Sequence, residues 1–176
     1  MNHRILTLAI SSLLTLASQA NADTCYDFER LTLNDTYSRG DSISLPDLDV
    51  TMRRFQWSNG GWTANYAQVD NNQFAGGSGL DLEVNNITVH MAFKQATPLL
   101  RLRFGEYGGN LNIWVNGSFR NFNNFDQLHN RTLGGVLMEV IRGHGNDSGR
   151  IRFIGDIHNL AIGGQELYLD DICFKP

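Results

Sequence analysis

Apolar and polar residues alternate along most of the chain with the two-residue period of half-buried strands, and helical periodicity is nearly absent after residue 22. Leu48, Val50 and Met52 share one parity, and Phe55 and Trp57 continue on the other, which predicts a bulge near Arg53-Arg54. Asn59-Gly60-Gly61 predicts a turn into a strand through Trp62, Ala64, Tyr66 and Val69. Leu80, Leu82 and Val84 form the next arm. Asn85-Asn86 turns it into a hairpin partner, Ile87 to Phe93, which Pro98 ends. Leu100, Leu102 and Phe104 follow, with Arg101 and Arg103 facing away.

The clearest hairpin arm is Leu111-Asn112-Ile113-Trp114-Val115, closed by Asn116-Gly117, the strongest short turn signal in the chain. Phe119, Phe122 and Phe125 lie in an Asn-rich stretch that reads as a long packed loop. Val136, Met138 and Val140 make a further strand, and His144-Gly145-Asn146-Asp147 a loop. Ile151 and Phe153 follow in another strand, and a segment through Ile157, Leu160 and Ile162 leads to the last one, Leu167 to Phe174. Glycine pairs at 60–61, 76–77, 108–109, 134–135 and 163–164 are irregularly spaced and read as bends in one sheet system. The expected fold is all-β: a single β-sandwich of about eight to ten strands, jelly-roll-like in wiring.

The first 22 residues change the picture of where this domain works. Arg4, the apolar run Ile5 to Leu16 and Ala20-Asn21-Ala22 read as a secretory signal, leaving residues 23–176 as one exported domain, secreted or periplasmic. No stretch has the ~20 apolar residues of a transmembrane anchor. The formal net charge is −4, with no basic run, so nucleic acid is not the expected partner. The only cysteines, Cys25 and Cys173, stand at opposite ends of that domain and are expected to form a disulfide.

Asp27-Phe28-Glu29 and Leu167-Tyr168-Leu169-Asp170-Asp171-Ile172 together resemble the first and last strands of jelly-roll carbohydrate-binding modules. That resemblance implies neighbouring termini that hold a structural calcium ion. Phe104-Gly105-Glu106-Tyr107-Gly108-Gly109-Asn110 and Ile162-Gly163-Gly164-Gln165-Glu166-Leu167 also resemble runs in uncharacterised exported bacterial proteins, with no activity implied. On the residues themselves, an antiparallel Cys25–Cys173 pairing sets Asp27 opposite Asp171, with Glu29 two further on. Facing carboxylates repel, and a hard cation relieves them. Calcium on Asp27, Glu29, Asp170 and Asp171 is the expectation, and a solvated acidic edge the alternative. Leu167 and Leu169 share parity with Asp171, so either both faces are covered or a bulge sits near Asp170.

Sugar rings stack on exposed aromatics. Trp114 points away from Leu111, Ile113 and Val115, between Asn112 and Asn116, two amides able to bond hydroxyls. Trp57, Trp62 and Tyr107 are further candidates, against the alternative that each packs in the core; Tyr66 belongs to the same group. Glu106 is the one residue singled out for acid–base work, with Glu139, Asp126 or Asp156 as partner. His90, His129, His144 and His158 show no metal-binding spacing, and no serine has a nucleophile-elbow context. The leading expectation is a non-catalytic module that binds a glycan or cell-surface polymer. A small hydrolase or lyase using Glu106 is the second, and a structural or adhesive surface protein the third.

Overall fold

The computed structural model describes residues 23–142 and 147–175. The secretory signal and the His144 loop fall outside the described residues. All fourteen strands pair antiparallel in one hydrogen-bonded system, and the only helical element among the described residues is a 3-10 turn, Phe125–Leu128. The count exceeds eight to ten because the expected Trp62–Val69 strand divides in two, the stretch after Gly117 is a strand and not a loop, and several pairing segments have only two or three residues. These are β1 (Thr24–Tyr26), β2 (Thr36–Tyr37), β3 (Ser42–Ser44), β5 (Trp62–Thr63) and β11 (Arg131–Leu133).

Two long strands organise the rest, β8 (Ile87–Glu106) and β13 (Ser148–Gly164). Their ends belong to different groups of partners. Ile87 to Phe93 of β8 pairs with β4 (Leu48–Gln56) and with Asn159 to Gly164 of β13, which continues to β9 (Leu111–Val115) and β10 (Ser118–Phe122). Leu99 to Glu106 of β8 pairs with Ser148 to Ile154 of β13 and with β14 (Leu167–Phe174). From there the ladder runs outward to β12 (Val136–Arg142) and β11 on one side. On the other it runs to β7 (Asp81–Asn85), β6 (Tyr66–Asp70) and β2.

Pro98 therefore does not end a hairpin, and Asn85-Asn86 does not close one. The chain runs through Pro98 in β8, and β7 pairs with β6 and β14 instead. The proline sits where the β8–β13 register breaks, between Thr97↔Ile157 and Leu99↔Ile154, so its missing N–H costs no ladder bond. Gly155, at φ 146°, supplies the matching irregularity in β13. The segment through Ile157 to Ile162 is likewise part of one strand with Ile151 and Phe153.

Other sequence expectations hold in part. The burial parity of β4 does slip between Met52 and Phe55, but the register with β8 is unbroken to Arg54↔Ile87. The slip comes where the strand turns to β5 with Phe55↔Thr63 and not from a bulge in the ladder. Asn116 and Gly117 both take positive φ, 48° and 82°, and join β9 to β10. The second arm of that hairpin is the Asn-rich stretch expected as a loop. Pairing with β9 overrides the weak strand propensity of Ser-Phe-Arg-Asn-Phe. Buried side chains from both partner groups, Val89 and Met91 as well as Leu102 and Phe104, form one continuous core.

Candidate functional site

The termini meet as expected. Cys25 faces Cys173 in the β1–β14 ladder and the two are disulfide-bonded. The carboxylates beyond them go to separate partners. Pairing stops at Tyr26↔Ile172, and Phe28 turns through φ 60°, so Asp27 ends in an exposed turn accepting the Glu29 N–H. Glu29 accepts the Leu80 N–H at 2.6 Å. Asp171 occupies a bulge at φ 48° and accepts from Arg103 Nε at 2.5 Å. That bulge is the irregularity expected near Asp170, and it moves Ile172 and Phe174 onto the buried parity. Asp170 is itself buried, with Oδ1 on the Asp171 N–H. The four acids thus take separate partners, and among the described residues no group of three or more His, Cys, Asp or Glu side chains is placed to hold a metal ion.

Both carboxylate oxygens of Glu106 are engaged in holding the fold. Its Oε1 pairs with Arg142, and its Oε2 accepts the Phe125 N–H at 2.7 Å. Arg142 also holds Asp126 at 2.8 Å, while Glu139 and Asp156 pair elsewhere, with Arg152 and His158. The motif was read as a hairpin end or a reactive group; it anchors the 3-10 turn to the end of β8. Replacing Glu106 with Ala should cost about 3 kcal/mol in chemical unfolding, since it strands a buried N–H and weakens a partly buried ion pair. A loss below about 1 kcal/mol contradicts that anchoring role.

The expected sugar-binding residues divide. Asn112 is fully buried and bonds both backbone groups of Gln56, at 2.6 and 2.7 Å. Asn116 donates to the carbonyls of Gly134 and Asp156 and accepts from the His158 N–H. Both amides are thus engaged with backbone groups of neighbouring segments. Trp57 packs edge-on against Phe55 at 5.2 Å. Tyr107, 45% exposed, lies far along the chain's other partner group, in an aromatic trio with Phe74 and Tyr168.

Trp114 and Trp62 come together. They line one groove of about 380 Å³ with Arg53, Arg54, Thr88, His90, Gly117, Asn159 and Ala161. Register explains the floor: Thr51, His90, Ala161, Trp114 and Phe119 follow one another across β4, β8, β13, β9 and β10. The small side chain of Ala161 leaves the depression beside Trp114, and the β4–β5 hairpin brings Trp62, 52% exposed, to it. Trp114 is half-buried and stacked on Phe119, centroids 4.0 Å apart, which presets its ring plane. Thr88 is 1% exposed, and its hydroxyl has no partner among the described residues. Gly163 stands beside it in register, where any Cβ would collide with the Thr88 hydroxyl. Burial, then the charge of Arg53, lowers the His90 pKa. Sequence reasoning missed Thr88, His90 and Arg53 as one site, because their strands meet only through pairing.

Comparisons with protein-family models, curated proteins and solved structures find no match.

Proposed function

We propose that this protein is an exported, non-catalytic binding module whose groove between Trp62 and Trp114 takes a glycan or a related surface polymer. In this reading the two partner groups stack as a β-sandwich of jelly-roll type, and the groove lies on the solvent side of the β4–β8–β13–β9 group. The observation that carries it is the unpartnered Thr88 hydroxyl in the floor of a groove walled by two tryptophans. A buried hydroxyl without a partner carries a desolvation cost that a ligand hydroxyl would remove. Indole faces supply apolar stacking for the sugar ring.

A glycan array probed with the mature protein tests the reading. Trp114→Ala should abolish retention while lowering stability by about 1 kcal/mol, the scale of one lost aromatic stack. Retention that survives both Trp114→Ala and Trp62→Ala, or no retained glycan at all, overturns it. Calcium enters this proposal as a stabiliser to be measured. Metal analysis showing none, with melting indifferent to added Ca²⁺ and to EDTA, removes it from the reading.

A further inference from the structure

The other partner group presents a second surface of opposite character to its acidic chain. Arg101 and Arg103 on β8, and Arg150 and Arg152 on β13, all point away from the core, since Leu100, Leu102, Phe104, Ile151 and Phe153 occupy the buried parity. Register sets them directly against one another, Arg101 opposite Arg152 and Arg103 opposite Arg150. Facing residues on adjacent strands lie about 5 Å apart, and like charges so placed repel. A two-by-two block of guanidinium groups in the middle of a sheet is thus a local conflict that the fold sustains, the kind of departure expected at binding surfaces.

The neutralising carboxylates stand at the flanks. Asp171 on β14 pairs with Arg103, Glu139 on β12 lies 3.8 Å from Arg152, and Asp23 pairs with Arg101. Arg150 is exposed and has no carboxylate partner among the described residues. A shallow groove runs along the block, with exposed Ile141 at its side. All four cations are arginines, whose planar fork binds carboxylates through paired hydrogen bonds as lysine cannot.

We infer that this arginine block is a second binding surface, for a polysaccharide bearing a carboxylate on successive sugars, a polyuronate. A polymer of regularly spaced carboxylates meets several guanidinium groups at once and relieves their mutual repulsion. The hydrogen-bonded Arg103–Asp171 pair already displays guanidinium–carboxylate chemistry on this face. The surface is independent of the tryptophan groove, which lies on the other partner group.

Polygalacturonate binding, measured against salt with the mature protein, is the test. The native protein should bind at low salt, with affinity falling as salt rises. Arg101→Gln/Arg152→Gln should weaken binding at least about tenfold and cut the salt slope by about two. Arg150→Gln, which strands no carboxylate, should shift both in the same direction by a smaller amount and melt as the native protein does. The charge-matched control Arg39→Gln/Arg131→Gln should keep the native affinity. Equal weakening by the control reduces the effect to net charge and overturns the proposal. So does a protein that leaves polygalacturonate unbound, or that binds only anionic lipid vesicles or polyphosphate.

Discussion

Cys25→Ser/Cys173→Ser should unfold about 5 kcal/mol more easily than the native protein. The bond joins residues 148 apart in sequence, and the chain-entropy model assigns about this much to a loop of that length. For a domain of this size the melting temperature should fall by about 10–20 °C. The effect is large because β1 is three residues long and its ladder to β14 is short. The check is chemical unfolding of the double mutant beside the native protein, after thiol titration has shown the native cysteines unreactive without reductant. A loss under about 1 kcal/mol would show that the termini stay docked without the bond.

Stability should fall as pH rises from about 4 to about 7, which is opposite to the usual behaviour of carboxylate-rich proteins. Burial pushes Asp170 up to about 7, with the charges of Asp171 and Asp81 adding to it against the Asp171 N–H and Arg103. Burial likewise pushes Asp81 up to about 6; Oδ2 accepts the Ala75 N–H at 3.1 Å and Oδ1 has no partner among the described residues. Within this window the folded state holds protons that the unfolded chain has released. Stability is therefore fully present below the ordinary carboxylate range and is lost through the raised values. Asp170 alone corresponds to about 4 kcal/mol at roughly 1.4 kcal/mol per unit. Asp126 titrates the other way, held down by its bond to Arg142, and its loss falls below the window. His90, its pKa lowered by burial, opposes the decline inside the window as one group against two. Melting across the range should decline, and Asp170→Asn should flatten the curve and melt higher than the native protein at pH 8. A cation bound to these carboxylates would keep them ionised and cancel the decline, so the profile also reads out metal. A native curve that rises from pH 4 to 7 without metal refutes the assignment.

Local pattern carried far along this chain. The alternations at Leu48–Met52, Leu100–Phe104, Leu111–Val115 and Val136–Val140 became strands with the expected buried parity, since period-two burial is written residue by residue. The parity conflict at Asp170-Asp171 marks a real change of register, while the one at Arg53-Arg54 marks only where β4 leaves β8 for β5, with no shift before it. Function was less legible. Trp114 was singled out for pointing away from its apolar neighbours. Asn112 was singled out on the same ground, yet the Gln56 backbone covers it.

By itself, the sequence determined an all-β chain, the parity of each longer strand, the Asn116-Gly117 turn and the pairing of its two cysteines. Each of these rests on side-chain period, turn chemistry or the absence of alternative partners, all readable within a few residues. Tertiary structure alone decided that β8 and β13 run unbroken through two groups of partners, past Pro98 and Gly155. It also decided that Trp62 meets Trp114, that Glu106 is consumed by Arg142 and Phe125, and that two Arg-x-Arg segments face each other. These are pairings between residues well separated along the chain. Which strand lies beside which depends on the summed burial of the whole core, and no single segment carries that information.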